Sequence, residues 1–145
     1  MILGFTGTRK GMTRQQENAV AEYLQRNTVI KHLNGACAGA DREMFWLVIN
    51  RCEQAEVTLL PGDLDQWYWA RWVSSICKQH KVTVAKWQTY QTRNRKIVNG
   101  SNKLLATPKE NHEIARSGTW STVRIARKAG LVPVIVWPNG NITEG

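Results

Sequence analysis

Short apolar runs alternate along this chain with glycine-bearing turns and with segments of helical periodicity. The apolar runs are predicted to be strands, at residues 2–6, 28–33, 56–60, 82–85, 103–106 and 131–137. Strands separated by helices pair in parallel, because each helix returns the chain to the same edge of the sheet. The alternation therefore predicts an α/β fold with a mainly parallel central sheet. A chain of 145 residues fits a single domain, residues 1–145.

Local signals mark several element boundaries. Thr13 can cap a helix over residues 14–25, and Gly130 can end a helix over residues 123–130. Pro133 has no N–H group to donate within the last predicted strand, which predicts either a strand start or an edge position there.

The composition is that of an ordinary soluble globular protein, with 42% apolar and 21% charged residues. Lys and Arg outnumber Asp and Glu by 20 to 11, which gives a net charge of +9. A basic protein suits an anionic partner, either a nucleic acid or a small phosphate, although many such charges only solvate a surface. No leader is expected at the N-terminus, and no apolar run approaches the ~18–20 residues that cross a bilayer.

The cysteines are three in number, Cys37, Cys52 and Cys77. They are scattered and lack the paired spacing of metal ligands, which predicts a reduced, cytoplasmic protein. The three histidines, which also lack such spacing, are His32, His80 and His112. We therefore expect no bound metal and no cofactor.

One stretch, Arg116-Ser117-Gly118-Thr119-Trp120-Ser121-Thr122, lies where a predicted strand gives way to a predicted helix. Glycine and hydroxyl side chains at such a place leave backbone N–H groups free at the positive end of the helix dipole. That end of a helix binds anions. The sequence therefore predicts a phosphate site made by Arg116, Ser117, Gly118 and Thr119.

Two more glycine turns follow predicted strands, Gly7-Thr8-Arg9-Lys10-Gly11 and Gly35-Ala36-Cys37-Ala38-Gly39-Ala40-Asp41. Small residues allow close approach of a ligand, and the first turn adds two cations; neither turn has Walker A spacing. Asp41 can bond a ribose hydroxyl, cap the second helix, or pair with the neighbours of Arg42. The candidate ligand-binding residues of the two turns are Gly7, Thr8, Arg9, Lys10, Gly35, Gly39 and Asp41.

A basic run over residues 93–100 is predicted to open a short helix. Its two arginines, Arg93 and Arg95, stand one residue apart and can flank a phosphate. The alternative is an ion pair with acidic residues of the same fold for at least one of them. Both arginines are kept as candidate ligand-binding residues.

An aromatic segment spans residues 63–79. Trp69, Trp72 and Val73 suit one helical face. Trp67 and Tyr68 can be exposed and can stack on a base, although core or subunit-interface packing is the more frequent role of such residues.

Four motifs occur in a fixed order: residues 4–9, residues 35–41, Arg93-Asn94-Arg95 and residues 116–120. Together they resemble the superfamily (SLOG) that unites the LOG phosphoribohydrolases with the Smf/DprA DNA-processing proteins. The resemblance is closest to small stand-alone members, many of them phage-encoded. It implies a Rossmann-like three-layer sandwich, a homodimer, a location in the host cytoplasm if the protein is viral, and a nucleotide-derived ligand above the strand ends.

The resemblance breaks at one catalytic position. The loop of the hydrolytic LOG branch looks like Gly-Gly-x-Gly-Thr-x-x-Glu, and its glutamate assists cleavage of an N-glycosidic bond. Thr122 occupies that position here, and threonine supplies no carboxylate for acid–base work. Glu110 and Glu113, in the preceding loop, are the nearest substitutes in sequence. This departure counts against LOG-type catalysis.

The leading hypothesis is a domain that binds a nucleotide, cyclic nucleotide or ADP-ribose-like ligand and acts as a sensor or sequesters the ligand. In this hypothesis the first glycine turn and Gly118 with Thr119 take the phosphate, and Trp120 covers a base or ribose. One alternative is a LOG-like nucleosidase or phosphoribohydrolase. A second alternative is DprA-like binding of single-stranded DNA, which the positive charge permits.

Overall fold

A seven-stranded sheet runs through the centre of the computed structural model, which describes residues 1–145. The strands are β1 (Ile2–Gly7), β2 (Lys31–Asn34), β3 (Glu56–Leu59), β4 (Val82–Val84), β5 (Lys103–Thr107), β6 (Val134–Val136) and β7 (Ile142–Glu144). The helices are α1 (Arg14–Arg26), α2 (Ala40–Arg51), α3 (Leu64–Ile76), α4 (Tyr90–Asn99) and α5 (Gly118–Lys128). Each predicted strand is present, with its ends shifted by at most three residues.

The strand order is β4-β3-β2-β1-β5-β6-β7, and all neighbours are parallel except β6 and β7. Helices α1, α2 and α3 pack on one face of the sheet, and α4 and α5 pack on the other. This arrangement confirms the predicted α/β fold, a Rossmann-like three-layer sandwich. The order reverses at β1, which pairs with β2 on one side and with β5 on the other. A crevice opens at such a switch point, because the connections after the two strands leave for opposite faces.

Apolar side chains fill the space on both faces of the sheet. The larger cluster, beneath α1 to α3, includes Phe5 and Phe45. The smaller cluster, beneath α4 and α5, includes Leu104 and Trp120. The two clusters fix the positions of the helices, and these helices carry polar residues to the switch point.

Helix α1 begins as the sequence predicts. The Thr13 hydroxyl accepts a hydrogen bond from the Gln16 N–H at 3.0 Å, and the Gln16 amide oxygen accepts one from the Thr13 N–H at 2.9 Å. This reciprocal pair is a capping box, which satisfies two amide groups that the first helical turn would leave free. The buried Gln16 amide also donates to the carbonyl oxygens of Pro108 and Val136, and so joins α1 to the loop after β5 and to β6.

Helix α5 begins five residues earlier than predicted, at Gly118, directly after its cap Ser117. Its C-terminal end agrees with the prediction, since Gly130 has φ of 84°. The N–H of Leu131 donates to the carbonyl of Ala126, and the N–H of Gly130 donates to that of Arg127. These two bonds define a Schellman ending, which needs the left-handed glycine. The early start turns the predicted polar turn into the first turn of the helix.

The C-terminal part of the sheet differs from the prediction. Strand β6 begins after Pro133, at Val134, which agrees with the predicted strand start. Strand β7 was not predicted, because its three residues are all exposed and show no apolar alternation. A turn at Gly140, with φ of 88°, brings β7 back against β6 and makes it the edge strand.

The predicted common face of Trp69, Trp72 and Val73 on α3 is only partly buried. Val73 is buried and Trp69 is half-buried against Phe45, but Trp72 is 55% exposed. Ala70 and Val73 are the buried apolar residues of α3, and Trp72 points out of the core because adjacent helical residues point about 100° apart.

The outward side of α3 carries a row of large apolar residues at intervals of four, which we call the α3 stripe: Leu64, Tyr68, Trp72 and Ile76. None of the five helices has the length and apolar content that crossing a bilayer would require.

A buried histidine lies on β2, with its ring held between β1 and the end of β2. His32 is fully buried; its Nδ1 donates to the Leu3 carbonyl at 3.0 Å, and its Nε2 accepts from the Asn34 side-chain amide at 3.0 Å. This pattern requires the neutral ring. Burial lowers the pKa of His32 to about 4.

We predict that His32 makes the fold sensitive to acid. Its pKa in the folded state lies below that of the unfolded chain, so its contribution is complete above pH 6.5 and is lost as pH falls to about 4. The loss amounts to roughly 3 kcal/mol at most, or about 1.4 kcal/mol per pH unit. Urea unfolding between pH 4 and 7 measures it. His32→Gln should lower the free energy of unfolding at pH 7 and flatten its slope with pH; an unchanged slope would contradict the prediction.

Candidate functional site

A cavity of about 420 Å³ opens at the switch point between the carboxyl ends of β1 and β5. Ten of the fourteen predicted ligand-binding residues line it: Gly7, Thr8, Arg9, Lys10, Asp41, Arg93, Arg116, Ser117, Gly118 and Thr119. The other four, Gly35, Gly39, Arg95 and Trp120, do not. Four separate segments of the chain therefore meet at one place, as the fold requires.

The first turn of α5 forms one wall of the cavity. The Ser117 hydroxyl accepts from the Trp120 N–H at 3.2 Å, and the Ser117 carbonyl accepts from the Ser121 N–H at 2.8 Å. The N–H groups of Gly118 and Thr119 donate to no atom of the protein. They lie at the positive end of the helix dipole, where an anion is the favoured partner.

The charge around the cavity is mainly positive. Two carboxylates, those of Asp41 and Glu110, also line it. The cationic side chains of the lining are Arg9, Lys10, Arg93, Lys109 and Arg116. A concave surface with this excess of cations concentrates anions.

The turn after β1 is held in place by its own backbone. The Thr8 N–H donates to the Thr107 carbonyl of β5 at 3.0 Å, and the Thr8 carbonyl accepts from the Ala40 N–H of α2 at 3.0 Å. Gly39 has φ of 88°, and a Cβ there would collide with the Arg9 carbonyl. Gly39 therefore serves close packing beneath the turn and does not face a ligand.

A buried guanidinium joins the floor of the cavity to the ends of β2 and β3. Arg93 Nη1 donates to the Gly35 carbonyl at 2.8 Å and to the Leu60 carbonyl at 3.2 Å. Its Nε donates to the Asn94 side-chain oxygen at 2.7 Å, and its Nη2 contacts the Cys37 sulfur at 3.5 Å. Only glycine fits at position 35, because a Cβ there would collide with the Arg93 guanidinium.

The ion pair predicted as an alternative for the two arginines does not form. Arg93 is bound by carbonyl and amide oxygens, and Arg95 is exposed outside the cavity with no acidic partner. Arg95 points away because it lies two helical residues, about 200°, beyond the inward Arg93.

Asp41 is a buried carboxyl at the cavity floor. Its Oδ2 accepts from the Cys37 N–H at 3.1 Å. Burial raises the pKa of Asp41, although the nearby Arg93 opposes this shift. The alternative role as a helix cap is wrong, because Gly39 occupies the cap position of α2 and Asp41 lies inside its first turn.

Cys37 lines the cavity as a neutral thiol. Burial and the neighbouring Asp41 raise the pKa of Cys37 to about 11. A thiol with that pKa is a poor nucleophile at neutral pH, since only the thiolate attacks.

The predicted role of Trp120 in covering a ligand is wrong. Its side chain is 1% exposed and packs against Trp137, with ring centroids 5.6 Å apart. Its indole N–H donates to Glu110 at 3.1 Å. Trp120 lies on the core side of α5, since Val123 and Ala126 share that face.

The position that matches the LOG glutamate carries out a structural task. Thr122 is buried, and its hydroxyl donates to the Gly118 carbonyl at 3.0 Å within α5. Of the two substitute carboxylates, Glu113 pairs with Arg124 and Arg127 at 3.1 and 2.7 Å and does not line the cavity. Glu110 does line it, while it holds the Trp120 indole.

Tyr90 and Asn94 line the cavity and were not predicted as site residues. Helix α4 begins at Tyr90, three residues before the predicted start, because Thr89 caps it by accepting from the Thr92 N–H. The Thr89-x-x-Thr92 spacing was the available signal. With that start, Tyr90, Arg93 and Asn94 share the face that α4 turns towards the cavity.

Comparison of the chain with protein-family models, with curated proteins and with solved structures gives no match.

We predict that Gly35→Ala destabilises the protein although alanine is small. The added methyl group displaces Arg93 from the Gly35 carbonyl and breaks two hydrogen bonds of a buried charge. We expect a loss of about 1–3 kcal/mol in the free energy of unfolding, measured by urea titration. Gly118→Ala is the matched control, because a Cβ at Gly118 meets nothing within 4 Å. Equal stability of the two variants would contradict the structural role of Arg93.

Proposed function

We propose that this protein binds a phosphorylated, nucleotide-derived ligand in the switch-point cavity and acts as a sensor of that ligand or sequesters it. The observation that carries the proposal is the convergence of two free amide groups, those of Gly118 and Thr119, with five cationic side chains at one cavity. Each charge-assisted hydrogen bond to a phosphate contributes about 1.5–3 kcal/mol.

The phosphate group is assigned to the α5 end of the cavity. Gly118 and Thr119 supply N–H donors there. The Ser117 hydroxyl accepts from the Trp120 N–H and donates to no protein atom, so its proton is available to a ligand. Arg116 and Lys109 add positive charge beside them. A phosphate dianion is the ligand group that uses all of these donors together.

The nucleotide part of the proposal rests on the SLOG resemblance and on the size of the cavity. Each of the four resembling motifs contributes residues to the cavity lining, and about 420 Å³ lies within the range of small-molecule sites. Holding is favoured over cleavage because Thr122 is engaged inside the helix and carries no carboxylate.

A LOG-like nucleosidase is the second candidate function, because Asp41 and Glu110 both line the cavity. Asp41, whose burial raises its pKa, is the better candidate for a general acid. Chromatography of nucleoside monophosphates incubated with the protein tests this candidate. Release of free base by the unsubstituted protein but not by Asp41→Asn would support cleavage. Nucleotide that stays intact with the unsubstituted protein would support holding.

Binding of single-stranded DNA and binding of a small ligand differ in how their affinity depends on salt concentration. A polymer contact that neutralises several phosphates weakens steeply as salt rises, because counterions are released. A single phosphate in the cavity gives a much shallower slope. A titration of oligonucleotide and nucleoside monophosphate at several salt concentrations distinguishes the two.

We also propose that the protein forms a homodimer through the α3 stripe, whose four side chains are 45–56% exposed. Residues four apart form a helical ridge, and two such ridges interdigitate in a common class of helix packing. A two-fold axis midway between Tyr68 and Trp72 packs the stripe against itself. The stripe contains two aromatic residues and two aliphatic ones, and contiguous exposed apolar residues of this kind mark interaction surfaces.

We predict that the double substitution Tyr68→Ser, Trp72→Ser converts the dimer into a monomer. Loss of two aromatic anchors from an interface centre removes most of the apolar area that association would bury. Sedimentation equilibrium at micromolar protein measures the change, with Trp87→Ser, an exposed tryptophan outside the stripe, as the control. A monomeric unsubstituted protein, or a dimeric double variant, would refute the interface.

We predict that Gly118→Pro weakens phosphate binding while Gly118→Ala does not. Proline removes the N–H donor and suits this position, because it begins the helix and the preceding Ser117 is extended at φ −159° and ψ 134°. Alanine keeps the donor and meets no neighbour. Calorimetric titration with nucleoside mono- and cyclic phosphates and ADP-ribose should show about a 10-fold or larger loss for proline only. Folded protein that binds none of these ligands would overturn the proposed function.

A further inference from the structure

Tyr90 is the exposed aromatic side chain of the cavity wall. It is the first residue of α4 and is 40% exposed, and the only other aromatic residue of the lining is the buried Phe5. Its ring rests against Gly62 in the loop after β3, where any Cβ would collide with it. The glycine thus makes room for the ring at this place.

The ring of Tyr90 is held from several sides. Its hydroxyl donates to Asp63 Oδ2 at 2.6 Å, and Asp63 is itself fixed as the cap of α3 by the Gln66 N–H at 2.8 Å. The guanidinium carbons of Arg9 and Arg93 lie 5.2 and 5.3 Å from the ring centroid. A ring tied down in this way loses little freedom when a ligand stacks on it.

The Asp63 tie remains in place at neutral pH. Burial acts to raise the pKa of Asp63, but the Tyr90 hydroxyl, the Gln66 N–H and the two arginines outweigh it and lower the pKa. The carboxylate therefore stays ionised and continues to accept the tyrosine proton. Because the hydroxyl is engaged, Tyr90 offers a ligand its ring rather than a polar group.

Asn94 supplies a polar group one helical turn further along the same face. Its side-chain oxygen accepts from Arg93 Nε at 2.7 Å, which fixes the orientation of the amide, since Nε can only donate. The Asn94 NH₂ group donates to no protein atom. It is a free donor on the cavity lining, suited to an acceptor atom of a flat heterocycle.

We infer that Tyr90 is the stacking platform for the nucleobase of the ligand and that the Asn94 amide donates to an acceptor on that base. This inference rests on the proposed function and deepens it: the ligand class is a nucleoside phosphate, with its phosphate at the first turn of α5. A sugar phosphate without a base fills only the α5 end of the cavity and leaves the Tyr90 ring and the Asn94 donor unused.

The test compares ligands that share the phosphate and differ in the base. Calorimetric titrations use the four common nucleoside 5′-monophosphates and ribose 5-phosphate against the full chain, freed of co-purified ligand. Tyr90→Leu removes the π surface and keeps the apolar bulk. We expect it to weaken the tightest monophosphate about 10-fold or more, as base stacking requires, and to leave ribose 5-phosphate within about twofold.

Two further variants complete the test. Tyr90→Phe keeps the ring and loses the Asp63 tie, so it should retain more nucleotide affinity than Tyr90→Leu. Trp87→Leu, at an exposed aromatic residue outside both the cavity and the α3 stripe, is the control and should change neither affinity.

Three results would overturn the inference while the phosphate site survives. They are equal affinity of the unsubstituted protein for nucleotide and ribose 5-phosphate, equal weakening of both by Tyr90→Leu, and no effect of Tyr90→Leu on nucleotide. Failure of every phosphate compound to bind folded protein would instead overturn the proposed function itself.

Discussion

The buried Arg93 guanidinium is the interaction on which the rest of the site depends. A full positive charge removed from water needs several hydrogen-bond partners. Arg93 finds them in the carbonyls of Gly35 and Leu60, which directly follow β2 and β3, and in the Asn94 side chain. The Arg93 side chain therefore joins α4 to the carboxyl edge of the sheet. If the guanidinium is removed or displaced, the buried carbonyls lose their donors, and a buried polar group without a partner costs more free energy than the hydrogen bond contributes.

Around this fixed point, backbone and side chains have separate tasks. The glycines Gly35 and Gly39 make room for other protein groups, and neither faces the cavity. The donors left for a ligand come from the first turn of α5, where Gly118 and Thr119 have free N–H groups because a helix start has no preceding carbonyls to bind them. Close packing on one side of the crevice and unsatisfied amides on the other are both consequences of the switch in strand order.

The sequence predicts those features of the site that local signals determine. Strands, the α1 cap and three strand-end turns follow from apolar runs and glycine positions within a few residues, and the turns meet because parallel strands share one edge. The direction of a helical side chain depends on tertiary packing, and there the prediction fails: Trp120 faces the core, while Tyr90 faces the cavity. Both residues lie before the predicted starts of their helices and inside the observed ones, which begin three to five residues earlier. Their directions are therefore set by the helix, in which each residue turns by about 100°.

The balance of groups in the cavity favours holding a ligand over cleaving it. Cleavage of an N-glycosidic bond needs a carboxylate free to move a proton or to stabilise positive charge on the sugar. Asp41 accepts from the Cys37 N–H at the buried floor, and Glu110 is shared with the Trp120 indole. The free groups at the cavity are instead cations and amide donors, which stabilise a phosphate equally in every state of a bond elsewhere in the ligand. Uniform stabilisation of that kind tightens binding without accelerating a reaction.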